Sequence, residues 1–156
     1  MKLSKKQMTA TFMTAVLVVI VGGGYYYANH SIAKHLPGYV YEYTSVSGNQ
    51  NAYMTFADNG DQVIVTPDKD TALKTSNSAS DFQKIYKENA KSGKWNYKAQ
   101  GNKLTISKLQ DNKVSLWQYN DMLVWGKKMH SRSFTYQIAN AGQGVDKKAT
   151  TFEQIR

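Results

Sequence analysis

The sequence predicts a mainly β, α+β protein: an N-terminal transmembrane helix, then an antiparallel meander or small barrel-like sheet that carries one helix. Three observations predict it. An uncharged apolar stretch follows three lysines near the start, the apolar period beyond it becomes two, and turn signals of the Asn-Gly type separate the alternating runs. The chain has 156 residues, so one modest domain follows that stretch. About 120 residues are enough to bury a core unaided.

Residues 1–29 read as the membrane anchor. Lys2, Lys5 and Lys6 precede a segment, Gln7 to Ala33, without a formally charged side chain, and its apolar heart runs from Phe12 to Val21 before Gly22-Gly23-Gly24 and Tyr25-Tyr26-Tyr27. Met8 to Ala28 has the roughly 20 residues a helix needs to span hydrocarbon. The tyrosines suit the interface, where a ring is buried while its hydroxyl stays wet, and the lysines stay cytoplasmic under the positive-inside rule. The body is therefore expected outside the cell membrane. A cleaved signal peptide, cut near Ala33 to release a secreted domain, is the alternative, although Val21 stands far from that cut. A buried helix of a soluble protein would leave the lysine prefix and the tyrosine collar unexplained.

Residues 30–38 read as a juxtamembrane linker closed by Pro37-Gly38, 39–139 as the extracytoplasmic β-rich domain, and 140–156 as a mobile C-terminal tail. A linker of that length reaches about 30 Å when extended, so a partner must lie close to the membrane. Within the domain, Tyr39, Tyr41 and Tyr43 alternate with Val40, Glu42 and Thr44 as a strand with one aromatic face. Ala52 to Ala57 and Gln62 to Thr66 flank Asp58-Asn59-Gly60-Asp61, a hairpin signal, because Asn-Gly readily takes positive φ. Thr66 to Ala79 is polar and reads as a loop.

One helix follows, with Phe82, Ile85, Tyr86 and Ala90 at helical spacing, Ser80 and Gln83 as a capping box, and Gly93 at its end. Next, Trp95, Tyr97 and Ala99 alternate with Lys94, Asn96 and Lys98 before Gly101-Asn102 turns the chain into Lys103 to Ser107. A two-residue turn sets Ala99 against Leu104, Tyr97 against Ile106 and Lys98 against Thr105. Further strands are expected at Val114 to Tyr119, Met122 to Trp125 and Ser133 to Ala139.

The order Phe56-Ala57-Asp58-Asn59-Gly60-Asp61, polar loop, Gly93-Lys94-Trp95-Asn96-Tyr97, then Gly101-Asn102-Lys103-Leu104-Thr105-Ile106 resembles small exported Gram-positive proteins with a lipocalin-like β domain. The resemblance spans residues 39–107 and implies an envelope location and a barrel-like shape, without an activity. Many proteins of that class carry a lipidated cysteine, and this chain has no cysteine. Prophage-encoded exclusion proteins are similar in layout, with a short anchor and a small outer domain.

Composition narrows the chemistry. Absence of cysteine excludes disulfides, thiolate metal sites and a cysteine nucleophile. His30, His35 and His130 are too scattered for a recognisable metal site, and no nucleophile elbow, paired-histidine zinc helix or phosphate-binding loop occurs. Calcium at Asp58-Asn59-Gly60-Asp61 competes with a plain hairpin turn, which those residues also make. No cofactor, metal or catalytic residue is therefore expected. An envelope enzyme is the weakest reading, because Glu42 alone among the acids lies on a strongly patterned strand and points outward.

The net charge of +9 favours anionic partners. Two basic groups are candidate binding residues, Lys94, Lys98 and Lys103 on the outward face of the central hairpin, and Lys127, Lys128, His130 and Arg132 in the loop before the last strand. Trp117, Tyr119 and Trp125 are the aromatic candidates, able to stack on sugar rings or a partner's side chains. The first functional expectation is a noncatalytic interaction module contacting a membrane-proximal protein, a phage protein or an anionic envelope polymer; nucleic acid conflicts with the outer location. The second is a lipocalin-like carrier of a small apolar ligand, its cavity lined by Tyr41, Phe56, Trp95, Tyr97 and Phe134.

Overall fold

The computed structural model describes residues 19, 23–24, 26–27, 32–44, 51–138, 142–146 and 149–156. They form a mainly antiparallel β protein of two sheets and eleven strands with a few helices. The expected membrane helix falls largely on residues outside this set. Val19, Gly23, Gly24, Tyr26 and Tyr27 have helical backbone, and among the described residues no helix is long and apolar enough to cross a membrane.

The larger sheet joins β1 (Val40–Thr44), β2 (Asn51–Phe56), β3 (Val63–Thr66), β7 (Leu123–Trp125), β8 (Lys128–Ser131) and β11 (Thr150–Gln154) in the order β3-β2-β1-β11-β8-β7. The smaller joins β4 (Lys94–Gln100), β5 (Lys103–Gln110), β6 (Lys113–Asn120), β9 (Ser133–Ile138) and β10 (Gly142–Asp146) in the order β10-β9-β6-β5-β4. Four connections, β3 to β4, β6 to β7, β8 to β9 and β10 to β11, carry the chain from one sheet to the other. On another side the sheets are stitched where Gln62 bridges Asn96 and the Tyr97 amide donates to the Asp61 carbonyl at 2.7 Å.

Turn chemistry fixes the register of the small sheet. Gly101 takes φ +60, which glycine adopts without strain, and the β4–β5 pairing sets Ala99 against Leu104 and Tyr97 against Ile106, as the alternation predicts. Asp111 and Asn112, both at positive φ, make the tight turn between β5 and β6. Trp95, Tyr97, Leu104, Ile106, Trp117, Tyr119, Phe134 and Tyr136 consequently share the inner face.

That face meets Tyr41, Tyr43, Met54, Phe56, Met129 and Phe152 of the large sheet. Rings from the two sheets touch edge to face, Phe56 with Tyr97 at 4.8 Å, Tyr119 with Phe152 at 4.8 Å and Tyr43 with Tyr119 at 5.8 Å between centroids. Tyr41, Phe56, Trp95, Tyr97 and Phe134, expected to line a carrier's cavity, belong to or pack against this one core cluster.

Three expectations are corrected. Of the expected linker, residues 32–38 are not free, because α1 (Ile32–His35) and the following turn bury Ile32 and Leu36 completely in the main core, and the Tyr41 hydroxyl donates to the His35 carbonyl. The segment 140–156 contains β10 and β11, and β11 lies between β1 and β8 with Phe152 fully buried. One residue, Phe152, supplied too short an apolar pattern to announce a strand whose edges are both paired.

The third correction is the loop Thr66 to Ala79, which holds α2 (Lys69–Thr75). Asp68 caps it by accepting from the amides of Asp70 and Thr71, and buried Thr75 and Thr55 tie it to β2. The predicted helix is α3 (Ala79–Asn89), extended by a 3-10 turn from Ala90 to Ser92. Its cap is Ser78, two residues before the predicted Ser80, with the Asp81 amide as donor. Phe82, Tyr86, Ile64 and Ala57 make a second small core beneath α3.

Candidate functional site

The sequence candidates separate into an outer lysine face, a basic hairpin and a core ring. Lys94, Lys98 and Lys103 do lie on the outer face of the small sheet. Only Lys98 and Lys103 meet, lining a shallow depression with Gln100, Asn102, Thr105 and Gln118. Lys94 pairs with Leu109 four positions along the strand, about 13 Å away at strand rise, so the three do not converge.

The second group is not a loop. Lys127 sits in the turn between β7 and β8, Lys128 and His130 point outward from β8, and Arg132 stands where the chain passes to β9. A short strand was hidden here by its own polarity, since only Met129 and Ser131 face inward. Lys128 forms an ion pair with Glu153 at 3.1 Å, and His130 Nδ1 lies 3.0 Å from the Thr151 hydroxyl. Lys127 keeps its ammonium in water.

Trp125, Trp117 and Tyr119 have three different fates. Trp125 is 79% exposed beside Lys128 at the end of the β7–β8 hairpin. Trp117 is half-buried and stacks on Trp95, with centroids 5.4 Å apart. Tyr119 is 2% exposed, so it is a core ring and not a surface contact, and burial pushes its phenol well above the usual value.

Across the outer face of the large sheet, one row reads Trp125, Lys128, Glu153, Glu42 and Tyr53. Glu42 and Glu153 are direct cross-strand partners, a repulsive arrangement that Lys128 relieves from one side and the Asn51 amide, 3.1 Å from Glu42, relieves from the other. These two carboxylates stand on an exposed sheet face, so they flank no enclosed bond in the way glycoside cleavage needs. Among the described residues no group of three or more histidines and acids could hold a metal ion.

No protein-family model matches the chain, and no curated protein or solved structure matches it.

The sequence reading missed Lys108. It follows Leu104 and Ile106 on the inner face, and its ammonium lies 5.5 Å from the centre of the Trp95 ring. Its stem is held close, for a Cβ added to Gly93 would come within 2.4 Å of Lys108 Cε. Alternation along β5 carried the signal, because a lysine at the third inward position means that the covering layer ends there.

Proposed function

We propose that the protein is a noncatalytic interaction module, anchored in the cell membrane by residues 8–28, with its β domain on the extracytoplasmic side and its N-terminus in the cytoplasm. The observation that carries this reading is the burial of Ile32 and Leu36 in the core. An apolar segment that ends at Ala28 would then place the domain close to the bilayer.

The contact surface assigned to this module is the β7–β8 hairpin. Lys127 accepts from the Gln154 amide at its carbonyl, and Gln154 pairs with Tyr41, so the turn stands about 10 Å across two strands from the residue that bonds α1. An exposed tryptophan beside Lys127 and Lys128 near that point suits a membrane-proximal protein or an anionic envelope polymer. The edge-to-face rings between the sheets support a filled interior and weigh against the alternative, a lipocalin-like carrier with an internal cavity. Among the described residues no two carboxylates converge in a cleft, which weighs against an envelope enzyme.

Photo-crosslinking in intact cells, with a photoreactive residue at position 125, tests the reading. Capture of one defined membrane or phage protein supports a protein-binding module. Capture of wall polymer alone supports an envelope-binding module. An unanchored, secreted chain with no crosslinked species would sink the proposal.

A further inference from the structure

The inner face of the small sheet is longer than the layer that covers it. Along β5 the inward residues are Leu104, Ile106, Lys108 and Gln110, and burial falls in that order from complete to exposed. Along β6 they are Tyr119, Trp117, Ser115 and Lys113, with the same gradient. Chemistry changes where the cover stops, from hydrocarbon and rings to hydroxyl, amide and ammonium.

At that boundary the surface is concave. A depression of about 360 Å³ is lined by Trp117, Ser115, Lys108, Gln110 and Ile138, with Asp111 and Lys113 on the turn between β5 and β6. Asp111 and Lys113 offset each other in formal charge, so Lys108 supplies the surplus cation. Among the described residues no carboxylate pairs with Lys108, whose contact is the face of Trp95. Trp95 in turn stacks on Trp117, so the cation and both indoles form one supported unit.

We propose that this depression binds an anionic saccharide, with a sugar ring laid on Trp117 and its carboxylate or phosphate paired with Lys108. Half-buried indole offers a flat apolar face to the C–H bonds of a sugar ring, while Gln110 stands beside it as a hydrogen-bonding group for ring hydroxyls. The volume falls at the low end for a ligand site and is open on one side, which suits one or two units of a chain better than an enclosed small molecule. The site deepens the interaction-module reading by naming a ligand class, and it is separate from the β7–β8 hairpin, so either can fail alone.

Titration calorimetry on the full chain in mild detergent tests it, with a glucuronic acid tetramer as probe and a neutral glucose tetramer as control. Saturable binding of the acidic tetramer is expected, weakened about tenfold by Lys108→Gln, kept by Lys108→Arg and weakened on raising salt. Lys94→Gln, the same charge change on the opposite face, should alter affinity less than about twofold. Absence of saturable binding, equal binding of the neutral tetramer, or equal losses from Lys108→Gln and Lys94→Gln would each overturn the proposal. Crosslinking at position 125 reads the module hypothesis independently, since that residue lies on the other sheet.

Discussion

The two ends of the small sheet's inner face are made by the same strands in the same alternation, yet one is core and the other is surface. At the first end, Leu104, Tyr119 and Phe134 lie in one cross-strand row, and Tyr119 meets Phe152 and Tyr43 of the opposite sheet. At the second, Lys108 and Ser115 form the row, and among the described residues the opposite sheet contributes none to the lining of the depression there. Period-two patterning tells which side of a strand points inward. How far the other layer extends along it is decided by long-range pairing, and the polar substitutions mark that limit.

The largest expected effect tests the covered end. Phe152→Ala removes a fully buried ring in contact with Tyr119, and the loss should be about 3–5 kcal/mol, read as a shift in denaturant midpoint. A chain in which residues 140–156 were only a tail would lose almost nothing. Leu36→Ala makes the corresponding test of α1, with an expected loss of about 2–4 kcal/mol from a fully buried site. A value within about 0.5 kcal/mol, ordinary for a surface change, would restore the linker reading.

These two sites also show why part of the fold was illegible in the sequence. The β4–β5 hairpin could be read because Gly101-Asn102 and the alternating rings agree locally, and α3 because Phe82 and Tyr86 recur at helical spacing. By contrast, β11 joins β1 across more than a hundred residues of chain, and its pattern contains one large apolar group. Likewise, α1 is only four residues long, and Ile32 reads as part of the juxtamembrane linker, whereas the core closes over it. Lys94, Lys98 and Lys103 were rightly set on one face, but their separation along the strand depends on nothing a charge count reveals. Lys108 was readable in principle and was masked by the expectation that a lysine faces water.

Alkaline pH sharpens the comparison at the covered end. Burial raises the Tyr119 phenol above its usual 10.0, so the folded protein holds that proton more tightly than the unfolded chain. The resulting stabilisation is complete below pH 10 and is lost as pH rises from there toward the folded value. Stability should therefore stay level with respect to this group up to about pH 10 and fall above it. Tyr119→Phe should flatten that fall, as followed by circular dichroism against pH; an unchanged slope would mean that Tyr119 does not titrate on unfolding.

At the uncovered end, Lys108→Ala should change stability by only about 0.5–1 kcal/mol, the worth of a partly exposed cation over an indole. A loss as large as that of Leu36→Ala would mean that the lysine is structural cover, and the contrast between the two ends would disappear.

The smallest effect lies outside both ends, on the row Lys128, Glu153 and Glu42. The ion pair between Lys128 and Glu153 is exposed, so Lys128→Ala should cost about 0.5 kcal/mol. More is at stake in the sign of a second change. With Lys128 in place, Glu153→Gln removes a partner of the lysine and a repulsion against Glu42 together, and the two effects offset. In the Lys128→Ala background only the repulsion remains, so Glu153→Gln should become stabilising by about 0.3–0.5 kcal/mol, and 1 M salt should erase most of it. A double-mutant cycle by thermal denaturation reads the difference. If Glu153→Gln has the same effect in both backgrounds, Lys128 is free of Glu153 in solution, and a second unneutralised cation joins Lys127 beside Trp125 on the hairpin proposed to meet a partner.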